Sequence, residues 1–244
     1  MSRRVKRLLL AGLTATALMF AIIEGAAWVA AHPQDVPWTR LTLDQPIGRF
    51  TGSKLAALGE DPRRCRTLLA DAGVDDRPAP AVTAAPPCGF NDGMRLVRDP
   101  PFRPTGIVTA CPVAAALLLW ERDVVQPAAR RHLGARVTAF DHAGSYSCRR
   151  IGGGAEGRFS EHSTADAIDV TGFRLDDGER VSVLGDWNGD APGSAGRAAF
   201  LRAVRDGACR LFATTLSPDY NEAHRDHFHL DQAARGASGG RLCR

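Results

Sequence analysis

Two short segments concentrate the residues able to do chemistry: SEHSTADAIDV, from Ser160 to Val170, and HRDHFHLD, from His224 to Asp231. Four of the seven histidines fall inside them. In the second segment His227 and His229 are two apart in a strand-like run, so a strand turns both imidazoles to one face and Phe228 to the other. In the first, His162 sits in a polar stretch, and Asp169 lies between Ile168 and Val170, whose apolar side chains mark the buried face of a strand. A carboxylate placed there is costly to bury unless it is paired or ligates a cation. His162, Asp169 and His229 therefore form a candidate zinc set with a fourth position open, as a catalytic zinc requires. His227 is expected beside the metal, placed to take a proton from water or to steady the oxyanion that forms at an attacked carbonyl. The competing reading is a polar loop and a His-rich strand whose side chains only hydrogen-bond to neighbours. It accounts for any single histidine more readily than for the joint pattern.

The elements that must position these residues can be sketched from periodicity. The runs ARVTAF, DAIDVTGF and DHFHLD predict strands. Pro112 opens a helical run carrying Val113, Leu117, Trp120, Val124 and Val125, with a break expected at Pro127 and a stop at Gly134. A second helix is expected from Ser194 to about Asp206, and a shorter one from the Asp61-Pro62 start to a glycine stop at Gly73. The order predicts an α+β fold, a small antiparallel sheet with flanking helices. Residues 32–104, which include RPAPAVTAAPP, read as a Pro-rich irregular arm, and residues 105–244 as the core. Asp141-His142 is a weaker candidate for lining a cleft. DWNGDAPG, Asp186 to Gly193, lacks the full calcium-loop pattern and reads as a turn. Trp120 and Leu117 read as core.

The 244 residues, 44% hydrophobic and 24% charged, are ordinary for a soluble globular chain and exclude both wholesale disorder and a polytopic membrane protein. Arg3, Arg4, Lys6 and Arg7 precede an apolar run from Leu8 that continues, broken by Glu24, to Ala31. Residues 1–31 are thus a targeting segment, read here as an uncleaved anchor in the inner membrane, with a cleaved signal peptide as the alternative. The basic flank should stay in the cytoplasm and the rest be exported to the periplasm. Setting those four cations and Glu24 aside takes the net charge from +4 to +1, so no nucleic-acid partner is expected. Six cysteines, none in a CxxC pair, read in an exported chain as three disulfides, and a thiol nucleophile is the weaker alternative. The sequential pairing is expected: Cys65 with Cys88, Cys111 with Cys148, and Cys209 with Cys243.

The segment SEHSTADAID resembles the Ser-x-His-x-x-Gly-x-Ala-x-Asp signature of zinc D-alanyl-D-alanine carboxypeptidases at Ser160, His162, Ala167 and Asp169, with Ala165 in place of the glycine. DHFH is similar to the His-x-His segment of the same superfamily, which includes lysostaphin-type peptidases, murein endopeptidases and the zinc domain of hedgehog proteins. More closely, PWTRLTLDQP, the CP-to-PAA stretch, GSYSCR and HRDHFHLD resemble the bacterial extensin-like C-terminal domain family over roughly residues 37–233. The resemblance implies a zinc-peptidase-like core with zinc on His162, Asp169 and His229, acting on peptidoglycan stem peptides. It implies that Arg149, in GSYSCRR, stabilises an oxyanion or holds a substrate carboxylate. The carboxypeptidases carry a glutamate base shortly before the last ligand. Here that stretch offers His224, Asp226 and His227, with Glu222 farther off. A cell-wall binding module that keeps the zinc site without turnover is the alternative function.

Overall fold

The computed structural model describes residues 2–191, 193–235 and 240–244. Helix α1, Arg3–Ala31, is long and apolar enough to cross a membrane, with mean hydropathy 1.9 and none of that window buried against protein. After it the chain forms α2, Thr51–Ala56, and α3, Pro62–Asp71. Pro62 stands in the first turn of α3, and the Asp61 carboxylate caps the helix by accepting from the Arg64 N–H at 3.0 Å.

The helical run expected from Pro112 is α4, Cys111–Trp120, one widened π-type turn over Glu121–Val125, and α5, Gln126–Leu133. Pro127 has no N–H for the regular ladder, and the helix widens just before it rather than stopping. Gly134, at φ +67°, ends the run in the left-handed conformation. Helix α6, Ala195–Ala208, follows Ser194 as expected.

A seven-stranded sheet supports the site. Its strands are β1, Phe102–Arg103; β2, Val137–Gly144; β3, Ala167–Leu175; β4, Arg180–Ser182; β5, Thr214–Leu216; β6, Phe228–Asp231; and β7, Leu242–Cys243. The order is β7-β5-β6-β3-β2-β1, with β4 also on β3; the β5–β7 and β1–β2 pairs are parallel and the rest antiparallel. Smaller antiparallel pairings join 77–78, 93–95 and 108–110, and 82–83 with 89–90. The fold is the α+β arrangement expected.

Helices α4 and α6 cover one face of the sheet. Trp120, fully buried, donates its indole N–H to the Val204 carbonyl at 2.9 Å and packs on Phe140 and Phe173, while Phe200 of α6 meets Phe173 edge-on at 5.0 Å. The buried cluster also takes in Leu41, Leu43, Leu55 and Leu69, so residues of the Pro-rich stretch share this core.

The disulfides correct two of the expected pairs. Only Cys209–Cys243 is as expected; the others are Cys65–Cys111 and Cys88–Cys148. Proximity along the chain does not decide the pairing, because helix packing does. Helix α3 lies against α4 and brings the Cα atoms of Cys65 and Cys111 to 6.1 Å, within disulfide reach. Cys88 then meets Cys148, just beyond β2, at 5.6 Å.

Candidate metal centre

Alternation along β3 and β6 builds the centre. Ile168, Val170, Phe228 and Leu230 are fully buried on the helix-covered face, which leaves Asp169, His229 and Asp231 for the other. The antiparallel register sets His229 directly opposite Asp169. His162 comes from the short 3₁₀ turn Glu161–Thr164, which Ser160 precedes and caps by accepting from the His162 N–H at 3.4 Å. The turn ends on Ala165 at φ +57°, the one non-glycine residue with positive φ among the described residues. That conformation favours glycine, and Ala165 adopts it here.

Three donor atoms converge. His162 Nε2 lies 3.1 Å from Asp169 Oδ1 and 3.2 Å from His229 Nδ1, and the last two are 3.0 Å apart. Ligands about 2.1 Å from a tetrahedral ion stand roughly 3.4 Å from one another, so the set is spaced to within a few tenths of an ångström of what an ion needs. Among the described residues these three form the group able to hold a metal ion.

The neighbours aim the imidazoles inward. His162 Nδ1 donates to the Ser145 carbonyl at 2.6 Å, which turns Nε2 toward the centre. His229 Nε2 donates to Asp231 Oδ2 at 3.0 Å, which leaves Nδ1 facing Asp169. Metal-binding histidines characteristically have this outer support. Burial alone would lower His229, but its hydrogen bonds to Asp169 and Asp231 outweigh that and raise it to about 9. Burial would raise Asp169, yet hydrogen bonds from His162 and His229 and the charge of His227 hold it well below the usual carboxylate range. A carboxylate oxygen and two imidazole nitrogens thus meet in a buried space, where a cation would take the place of the proton that His229 holds.

His227 lies beside the set as expected, with Nε2 at 3.6 Å from Asp169 Oδ1 and Nδ1 donating to Asp226 Oδ1 at 2.8 Å. His224 stacks obliquely on His227 with ring centroids 5.1 Å apart and donates Nδ1–H to Asn221 Oδ1 at 2.6 Å. Burial, then the charges of His227 and His229, push His224 down to about 4. Arg149 is exposed at the rim; its carbonyl accepts from the Ser160 N–H at 3.0 Å, and its charge contributes to lowering His224.

One weaker candidate falls away from the centre. Asp141 and His142 lie within β2, where Asp141 accepts from Arg174 and Arg180 and His142 Nε2 meets the Pro104 carbonyl at 2.7 Å. Asp186, which opens the stretch read as a turn, ends the short helix Val183–Asp186 and accepts from the Ser182 N–H before it, and Pro192 of that stretch lies outside the described residues. Glu222 is 84% exposed in its side chain and paired to Arg225. A cavity of about 670 Å³ borders the His162 turn at Glu161 and Asp166 but includes none of the three donors. Sequence reasoning missed Ser145 and Asp231. Asp231 carried a signal, since it continues the alternation two residues past His229. Ser145 carried none, because its role belongs to a backbone carbonyl.

No curated protein matches the chain, and no solved structure matches it. The family model described as "Extensin-like protein C-terminus" matches residues 63–244, a span that holds α3 from its second residue, the whole sheet and every residue of the centre. The chain belongs to the extensin-like C-terminal family.

Proposed function

We propose that this protein is an exported, membrane-anchored zinc hydrolase that cuts an amide bond in peptidoglycan stem peptides or cross-links. The observation that carries the reading is the convergence of His162 Nε2, Asp169 Oδ1 and His229 Nδ1 within 3.2 Å of one another, with both imidazoles held from behind. Two nitrogens and one oxygen suit zinc better than calcium or magnesium, and three protein ligands are the number a catalytic site uses. The similarity of the two motif segments to zinc peptidases of the cell wall supplies the substrate class.

Zinc held by these residues supplies a Lewis acid that polarises the scissile carbonyl and acidifies water. The protein does the rest. His227 presents Nε2 toward the centre and accepts a proton as water adds to the carbonyl carbon, while Asp226 holds Nδ1–H and stabilises the imidazolium. The same proton passes to the amine as the C–N bond breaks. His224, neutral at physiological pH, offers a second Nε2 beside it. The Arg149 guanidinium at the rim suits the developing oxyanion or a substrate carboxylate.

The test is metal content. The purified full chain should hold about one zinc, and His162→Ala or His229→Ala should lose it. A chain that stays free of metal after refolding with zinc contradicts the mechanism. One observation favours a second reading, a cell-wall binding module with a non-catalytic zinc site: Glu222, in the stretch where the carboxypeptidases carry their glutamate base, is exposed and paired to Arg225. Such a module binds muropeptides and leaves them intact.

A further inference from the structure

The chain's exit from α1 is built in a way that a simple tether does not require. Within the ten residues after α1 the backbone folds back on itself: Asp35 N–H donates to the His32 carbonyl, Val36 N–H to that of Pro33, and the Thr39 hydroxyl to Pro33 and to Val36. Lys54, from α2, crosses from the globular part and donates to the Pro33 carbonyl at 2.8 Å and to Thr39 Oγ1 at 2.7 Å. Asp35 Oδ1 accepts from the Arg49 N–H at 2.7 Å, and the Gln34 carbonyl accepts from the Phe50 N–H at 3.1 Å. Gly48 packs so closely on Gln34 and Asp35 that a Cβ there would come within 2.7 Å of both. Val36 is buried, and Leu41 and Leu43 enter the core. The exit turn is therefore part of the folded body.

From this fixed turn Trp38 projects into solvent, 79% exposed, between exposed Pro37 and near exposed Arg40. The chain's other tryptophans are accounted for: Trp120 and Trp187 are buried, and Trp28 is in the last turns of α1. A rigid turn that leaves a large amphipathic ring bare is costly in water. A ring of this kind is favoured in the headgroup layer, where Trp is enriched. Arg40 and Arg49 supply cations for lipid phosphate. Trp38 lies seven residues past the end of α1, continuous with the membrane-crossing segment.

We propose that the surface formed by Pro37, Trp38 and Arg40 docks on the lipid headgroup layer, and that the turn locked by Lys54 holds the globular part against the bilayer. The partner is the membrane itself, and the site's reach is then set by the body's dimensions with no flexible linker to extend it. This rests on the anchor reading, not on the hydrolase reading.

The experiment uses the full chain in lipid nanodiscs, with Trp28→Phe as background and Trp28→Phe/Trp38→Phe as the blank. The difference in emission between them reports Trp38 alone. Expected is loss of most of that emission on lipids brominated near the glycerol end of their chains, and protection from aqueous iodide. Lys54→Ala, which frees the exit turn, should return sensitivity to iodide with α1 still in the membrane. Emission quenched by iodide as in free tryptophan, and untouched by bromolipid, overturns the proposal. Intact mass is measured on the same sample: retained α1 with solvent-exposed Trp38 sinks docking alone, and a chain lacking residues 3–31 sinks docking and anchor together.

Discussion

At the scale of single residues the centre is a problem in protonation. Asp169 is held as a carboxylate, and His229, raised from 6.5 to about 9, keeps a proton at neutral pH when no metal is present. A metal must displace it. Zinc uptake at pH 7 should therefore release about one proton, and affinity should rise roughly tenfold per pH unit until pH approaches about 9. Calorimetry in buffers of different ionisation enthalpy measures that proton; none released would contradict the account. For the metal-free protein the sign is opposite. The raised His229 value stabilises the fold fully below pH 6.5, and that contribution disappears as pH climbs through about 9. Asp231→Asn keeps the shape behind His229 and removes the charge, and zinc affinity should fall about 10- to 100-fold in competition with a chromogenic chelator.

At the scale of elements, strands were the legible part and contacts between them were not. The period of two in DAIDV and FHLD places Asp169 and His229 on the face opposite Ile168 and Phe228, and β3 and β6 do so. The register that sets Asp169 against His229 depends on which strands neighbour, and no local pattern states that. The same limit explains the disulfides, whose pairing follows from α3 packing on α4. It explains Ser145 too, because the carbonyl that aims His162 is supplied by the chain leaving β2. Cys148 lies in that same irregular segment, three residues past Ser145 and next to Arg149, tied to Cys88. Cys88→Ser/Cys148→Ser should therefore weaken zinc binding with modest loss of stability. Cys65→Ser/Cys111→Ser, which unties α3 from α4, should cost about 2–5 kcal/mol in denaturant melts while the folded fraction keeps its zinc. Equal effects of the two pairs would contradict this division of labour.

At the scale of the whole molecule, the apolar α1, the body and the three disulfides fit a chain working outside the cytoplasm, where cystines persist. The excess positive charge belongs to the basic start of α1, Arg3, Arg4, Lys6 and Arg7, and the rest of the chain is nearly neutral. Because the donors come from a turn and two strands, a zinc ion held by them would tie together β3, β6 and the 161–164 turn. Chelation should lower the melting temperature, and His229→Ala should melt at the same temperature with or without chelator. The central claim is turnover, and the most direct measurement is mass spectrometry of purified muropeptides incubated with the zinc-loaded full chain and, in parallel, with His229→Ala. The account predicts products that have gained one water and carry new amine and carboxyl termini with the wild type alone. Muropeptides left intact by a wild-type chain shown to hold its zinc would contradict it.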